Sequence, residues 1–275
     1  MKITILMDNE REREELFCEH GFSALVELDG HRILYDTGSS GRFLDNARLL
    51  GLDLSDVTEV VLSHGHWDHV CGLPRFVEEQ VAPKAPLYLH SRFFLPKYID
   101  EGDYLRYLGA SFGPEWLSRM GVRARYLTAP THRLWENGPV WLLSGFEQTV
   151  PFERVAPVFR LMDGARLMPD KLEDELALVV ETDGGLVVLS GCSHNGMLNI
   201  CEAARRRLGK PVRAFLGGTH LIDADEAQAA GTLEALRAGR VGEAYVCHCT
   251  GAEGVRTLTA AGNCRQVRAG AALDF

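Results

Sequence analysis

Val60-Val61-Leu62-Ser63-His64-Gly65-His66-Trp67-Asp68-His69 sets three imidazoles and a carboxylate within one short stretch, directly behind an apolar run. The apolar residues read as a buried strand, so the cluster begins where that strand leaves its sheet. His64 and His66 can converge on one cation, while Asp68 and His69, a short turn later, can face a second. Neutral imidazole nitrogen and carboxylate oxygen suit zinc, manganese or iron. Gly65 gives the backbone freedom where the ligands crowd. A single histidine would read as an ordinary loop residue, but this density beside an aspartate does not. The expectation is a centre of one or two transition-metal ions used for catalysis.

The sequence around the cluster follows a plan that occurs twice. In the first stretch Phe22–Leu28 and Arg32–Asp36 flank Asp29-Gly30, a pair that tolerates the positive φ of a two-residue hairpin turn. A polar loop, Thr37-Gly38-Ser39-Ser40-Gly41, then opens a helix with Phe43, Leu44, Ala47 and Leu50 on its apolar positions, and the strand Val57–Leu62 delivers Ser63 and His64. In the second stretch Leu176–Glu181 and Leu186–Leu189 flank Asp183-Gly184-Gly185. The loop Ser190-Gly191-Cys192-Ser193-His194-Asn195-Gly196 follows, then a helix through Leu198, Ile200, Ala203 and Leu208, and a strand Val212–Leu216 that ends in Gly217-Gly218-Thr219-His220. Hairpin, polar loop, helix, strand and histidine recur in the same order. Such a repeat predicts an α/β protein of two ββα-type halves that stack their sheets with helices outside. The strand ends bearing Asp36, His64, Cys192, His194 and His220 would then meet on one edge.

Residues from about 75 to 170 read less regularly, with prolines from Pro83 to Pro169 punctuating short strands and turns. The segment is read as an insertion near the site, either a lid or a peripheral subdomain, within one domain spanning residues 1–275. Beyond His220 a helix is expected over about Ala224–Ala238 with Gly239 as its cap. The strand Ala244–Cys247 then delivers His248, and Thr250-Gly251 opens a last helix. Strand alternation would turn His248 away from Cys247 and Cys249, making them poor candidates for its ion.

A hydrophobic content of 46% with 24% charged residues fits a globular chain that buries a full core. The balance of 29 basic against 38 acidic residues opposes a nucleic-acid partner, because such binding relies on neutralised phosphates. Arg205-Arg206-Arg207 is read as the solvated end of a helix. Met1–Leu6 reads as a strand and not a signal peptide, and no apolar run has the length of a bilayer span. Seven cysteines without a CxxC pair signal neither a disulfide framework nor a zinc knuckle. A cytoplasmic location, no membrane partner and a small-molecule substrate are expected; the oligomeric state is not legible.

Ser63-His64-Gly65-His66-Trp67-Asp68-His69-Val70-Cys71-Gly72 resembles the HxHxDH signature of the metallo-β-lactamase-fold superfamily, and Asp36-Thr37-Gly38 and the late His248 resemble its flanking motifs. The resemblance covers nearly the whole chain and implies a four-layer αββα sandwich. Within the superfamily, Gly191–Gly196, Gly217–Leu221, His248–Gly251 and Asp174-Glu175 are similar to the 7,8-dihydropterin-6-methyl-4-(β-D-ribofuranosyl)aminobenzene-5'-phosphate synthase-like branch. The resemblance implies a first ion on His64 and His66 and a second on Asp68, His69 and His248. Cys192 stands where the superfamily has a metal-bridging aspartate, so His194 is expected to complete the first site. Cys192 is either a thiolate ligand or a buried inert thiol. Asp36 is expected to orient a ligating imidazole. His220 is either a proton donor or substrate contact, or a structural histidine, and Asp68 a proton acceptor if the second ion is absent. His20, His31, His90 and His132 lack clustered partners and read as ordinary.

The expected chemistry is metal-activated water attacking an ester, phosphoester or lactone-like bond of a small anionic, phosphorylated or pterin-like substrate, with zinc first and manganese or iron(II) next. No organic cofactor is expected. Helix N-termini behind the two glycine-containing loops would be open to phosphate. The alternatives are a dihydropterin-transferring synthase of the pterin-cofactor type, and a metal- or ligand-binding sensor without turnover.

Overall fold

The computed structural model describes all 275 residues, which form two compact units. Met1–Thr128, Pro157–Asp170 and Arg268–Phe275 make the first; Ala129–Ala156 and Lys171–Val267 make the second.

The main sheet of the first unit has seven strands in the spatial order Ala272–Asp274, Lys2–Met7, Ser23–Leu28, His31–Tyr35, Glu59–Val61, Leu87–His90 and Ala124–Leu127. Its first three junctions are antiparallel and its last three parallel. The hairpin Ser23–Leu28/His31–Tyr35 turns through Asp29 (φ 49°) and Gly30 (φ 81°), the two positive φ values that the Asp-Gly pair predicts. The helix Phe43–Leu49 buries Phe43, Leu44 and Ala47 in a core shared with Leu25, Leu34, Val60 and Phe76.

The sheet of the second unit runs Cys264–Gln266, Glu243–Cys247, Val212–Gly218, Gly185–Ser190, Ala177–Thr182, Val140–Leu143 and Thr131–Arg133. Here too three junctions are parallel and three antiparallel. Its hairpin turns on Asp183-Gly184 alone, since Gly185 already pairs with Thr182. Leu176–Val180 and Leu186–Ser190 are continuously buried, as strands covered on both faces must be. The helix Met197–Leu208 packs Leu198, Ile200 and Ala203 onto Val188 and Phe215. Arg207, in its last turn, donates to the carbonyls of Pro130, Ser144 and Gly145, so one member of the arginine run holds a loop in place.

Hairpin, helix and parallel strand therefore occur in the same order in both units, giving the mixed α/β plan of two ββα-type halves that the repeat predicts. Residues 75–170 are more regular than the proline spacing suggests. They supply the last two strands at one side of each sheet, Leu87–His90 and Ala124–Leu127 in the first and Val140–Leu143 and Thr131–Arg133 in the second. They also form a separate four-stranded sheet in the first unit, ordered Arg166–Pro169, Phe159–Asp163, Lys97–Asp100 and Leu105–Tyr107. No helix is long and apolar enough to cross a membrane.

Candidate metal centre

In the first unit the strands His31–Tyr35 and Glu59–Val61 run parallel, with Tyr35 opposite Val61, so the residues that follow them emerge side by side. Asp36 adopts φ 59°, a left-handed conformation that costs a non-glycine residue about 1–3 kcal/mol and clusters at functional sites. The turn points its carboxylate at the neighbouring strand end. Oδ1 accepts from Ser63 N at 2.7 Å, and Oδ2 accepts from Ser63 Oγ at 2.7 Å and lies 2.7 Å from His69 Nδ1. An ionised carboxylate only accepts, so the His69 proton sits on Nδ1 and Nε2 keeps its lone pair. The Ser63 hydroxyl, having donated to Asp36, accepts from His64 Nδ1 at 2.9 Å, which leaves His64 Nε2 with a lone pair by the same logic.

His64 Nε2 lies 3.1 Å from His66 Nδ1. Two nitrogens at about 2.0–2.1 Å from a tetrahedral zinc ion stand roughly 3.3 Å apart, so this spacing suits a shared cation. Burial, with the imidazoles of His69 and His66 beside it, pushes the His64 pKa well below the ordinary histidine value. It is therefore held neutral, the form that ligates. Asp68 Oδ2 lies 3.5 Å from His69 Nε2. The cluster is buried throughout, and Thr37 N donates to His69 O at 2.7 Å to lock its far end to the Asp36 loop. A Cβ on Gly72 would stand 1.9 Å from Thr37 O, so only glycine lets the two segments approach. The 75–170 segment reaches this cluster within the unit: Trp67 N donates to Leu108 O at 2.8 Å, and the Phe159 ring lies 5.4 Å from that of His66.

His20 was expected to be an ordinary residue, yet its Nε2 lies 3.4 Å from Asp68 Oδ2 and its ring 5.8 Å from Trp67. Nothing local in the sequence joins positions 20 and 68. His31 lies against Glu59 of the neighbouring strand, and His90 takes the Arg92 amide two residues on.

In the second unit the parallel strands Gly185–Ser190, Val212–Gly218 and Glu243–Cys247 deliver Cys192 and His194, His220, and His248 and Cys249 respectively. Ser193 (φ 56°), His220 (φ 49°) and His248 (φ 51°) are all left-handed. Cys192 is the hub: its Sγ lies within 4.8 Å of a ring nitrogen of His194, of His220 and of His248, and of Cys249 Sγ. The rings of His194 and His220 stand 4.3 Å apart.

Strand alternation predicts that Cys249 points away from the ion of His248. The strand ends at Cys247 and a single 3-10 turn, His248–Thr250, follows, so alternation does not reach Cys249. Its thiol donates to Cys192 O at 3.4 Å. Burial opposes charge on both Cys249 and His220, yet the contacts of Cys249 with Cys192, then with His220 and His248, hold its thiol well below the usual range, and the contact with Cys249 raises the His220 imidazole.

Carboxylates fix the loops that carry these groups. Glu175, fully buried, accepts from His194 N at 2.8 Å and from Asn195 N and Nδ2 at 2.9 Å. Glu153 accepts from Leu198 N and Asn199 N, both at 2.8 Å, and so caps the helix Met197–Leu208 from a distant loop. In the first unit Glu19 holds the glycine-containing loop itself, taking the Ser39 and Ser40 amides at 3.0 Å ahead of the helix Phe43–Leu49. The first-turn amides of the second unit's helix Met197–Leu208 are thus already taken by the chain's own Glu153, which removes them as a phosphate site.

The donor chemistry in each unit fits divalent transition metals: buried neutral imidazole and carboxylate in the first, imidazole and thiol in the second. The sequence profile of the metallo-beta-lactamase superfamily matches residues 16–157. The 7,8-dihydropterin-6-methyl-4-(beta-D-ribofuranosyl)-aminobenzene-5'-phosphate synthase of Methanocaldococcus jannaschii is 29% identical over 258 residues, covering 86% of this chain and 82% of its own. Among solved structures, that of Tm1679, a metal-dependent hydrolase of the beta-lactamase superfamily, is 29% identical with a TM-score of 0.85 and covers 100% of this chain and 99% of its own. Zinc-bound PqqB from Methylobacterium extorquens superposes with a TM-score of 0.57 at 14% identity, over 100% of both chains, a likeness of fold alone.

Proposed function

This chain belongs to the metallo-beta-lactamase superfamily, and on that premise we propose that it is a metal-dependent hydrolase of a small anionic, phosphorylated or pterin-like substrate. The observation that carries the reading is the Asp36–Ser63 network, which fixes the tautomers of His64 and His69 and leaves a lone pair on each Nε2. Our proposed ligand set is His64, His66 and His194 for one ion and Asp68, His69 and His248 for another, with Cys192 in the place of the superfamily's bridging aspartate. Zinc suits this set best, and manganese or iron(II) next. The cation supplies Lewis acidity and lowers the pKa of water at the site to about 7.

The protein's own groups divide the remaining work. Asp36 holds the ligating rings, and Glu175 holds the loop that presents Cys192 and His194. If the second ion is absent, Asp68, with His20 at 3.4 Å, would be free to take a proton. When its ring nitrogens hold no metal, His220, its pKa raised beside Cys249, is suited to contact an anion or to donate a proton to a leaving group.

The similarity to the Methanocaldococcus synthase favours a second reading, transfer of a dihydropterin to a ribofuranosyl-aminobenzene phosphate at the same residues. Anaerobic purification with metal analysis, followed by assays of apo and metal-reloaded protein, tests both. Hydrolysis of phosphoesters or lactones that is lost on chelation and restored by zinc or manganese supports the first reading. Metal-dependent formation of the dihydropterin conjugate without hydrolysis would replace it with the second. A metal-loaded protein that does neither would overturn both.

A further inference from the structure

Cys249 is absent from the ligand set above, yet it is one corner of a compact group. Cys192 Sγ, Cys249 Sγ and a ring nitrogen of His220 all lie within 4.8 Å of one another, and the two cysteines are buried. A tetrahedral zinc ion with Zn–S of about 2.3 Å and Zn–N of about 2.0 Å spaces two sulfurs roughly 3.8 Å apart, and sulfur from nitrogen roughly 3.5 Å. With all separations below 4.8 Å, the group lies within about 1 Å of the spacing that a tetrahedral cation requires.

The surrounding chain is shaped to hold that group. A Cβ on Gly218 would stand 2.5 Å from Cys249 Sγ and 3.3 Å from Cys192 Cα, so the strand end must be glycine for the sulfur to sit there. Thr219 Oγ1 donates to Thr250 Oγ1 at 3.1 Å, tying the loop that bears His220 to the one that bears Cys249. Ile222 N donates to Cys249 O at 3.1 Å from the other side. His220 and its neighbour's His248 loop both keep left-handed backbone to maintain the arrangement.

We propose that Cys192, His220 and Cys249, all residues of the second unit, form a thiolate-rich cation site whose donors are chemically unlike those of the His64–His69 cluster. Two thiolates and one imidazole are a soft donor set that takes zinc, iron(II) or cobalt(II) and rejects manganese and magnesium. The nitrogen and oxygen donors of His64–His69 accept manganese as well. Cys192 is the sulfur that this site would share with His194 and His248, so metal here also fixes its thiolate state.

The test strips the first unit of its ligands in the full-length chain (His64→Ala, His66→Ala, Asp68→Ala and His69→Ala together) and titrates it anaerobically with cobalt(II). The expected result is about one equivalent bound, with a near-ultraviolet thiolate-to-cobalt charge-transfer band that manganese(II) does not displace. Adding Cys249→Ser abolishes stoichiometric binding, whereas Cys71→Ser leaves it unchanged. No binding by the folded quadruple variant, or binding indifferent to Cys249→Ser, would overturn the site.

If the quadruple variant does not fold, the wild-type protein gives the same answer by thiol alkylation mapped by peptide mass. Alkylation of Cys249 should be at least tenfold slower with zinc than after chelation, and His220→Ala should remove the difference. Equal rates, or a Cys192–Cys249 disulfide in protein purified without air, would refute it. The hydrolase reading stands or falls separately, since its loss in the quadruple variant leaves the cobalt signal untouched.

Discussion

Asp36 receives Ser63 N, Ser63 Oγ and His69 Nδ1, each at 2.7 Å, on a side chain with no exposed surface. A carboxylate can accept all three at once, but an amide offers one accepting oxygen and turns two donors toward Ser63 or His69. Asp36→Asn should therefore release the His69 tautomer and weaken zinc binding by about 10–100-fold, the usual cost of losing a group that orients a ligating histidine. Competition against a chromophoric chelator measures this, and an unchanged affinity would show that the ring is held by packing alone. The cluster His64–His69 was legible because its donors crowd one short window. Asp36 was legible as an orienting partner. The contact of His20 with Asp68 was not, because the two residues stand 48 positions apart and no local pattern joins them. Cys249 was missed because the alternation of a strand was carried past the residue where the strand stops.

Elements follow the sequence closely where a local rule governs them. Asp29-Gly30 and Asp183-Gly184 both make two-residue turns, and the helix read through Leu198, Ile200 and Ala203 spans Met197–Leu208. What holds the start of that helix has no local sign, since Glu153 arrives from a separate loop. Burial raises the Glu153 pKa from 4.5 to about 7, against the two amide hydrogen bonds that favour its charge. The folded protein thus binds more protons than the unfolded chain between pH 4.5 and 7. Stability from this group is fully present below pH 4.5 and declines as pH rises through 7, by up to about 3 kcal/mol in all. Glu153→Gln should remove that slope while leaving one amide of the first turn without its acceptor. In urea unfolding the wild type should exceed the variant by more at pH 5 than at pH 7.5. A difference that is the same at both values, or larger at pH 7.5, would mean that Glu153 stays ionised in the fold.

At the scale of the molecule, the repeat of hairpin, helix, strand and histidine was legible because each step carries its own periodicity, and the two sheets bear it out in the same strand order. The segment 75–170 was harder to read, because its strands pair with distant partners: Leu87–His90 with Glu59–Val61, and Val140–Leu143 with Ala177–Thr182. Short strands completed by remote edges leave no local pattern long enough to read. The division into two compact units matters for how the proposed metals act on stability. Our ligand set takes His64, His66, Asp68 and His69 from one unit and His194 and His248 from the other, so each unit alone would hold an incomplete set. A ligand at a thousandfold above its Kd stabilises the fold by about 4 kcal/mol. For a chain of this length each kcal/mol moves Tm by roughly 2–4 °C, so chelation should lower Tm by about 8–16 °C. Replacing His64 and His66 by alanine should at least halve that shift, and so should replacing His194 and His248, although the two pairs belong to different units. Differential scanning fluorimetry with and without chelator reads all three proteins. A shift that survives intact in either double variant would mean that the metal is held by one unit alone, and the ligand set would have to be redrawn within it.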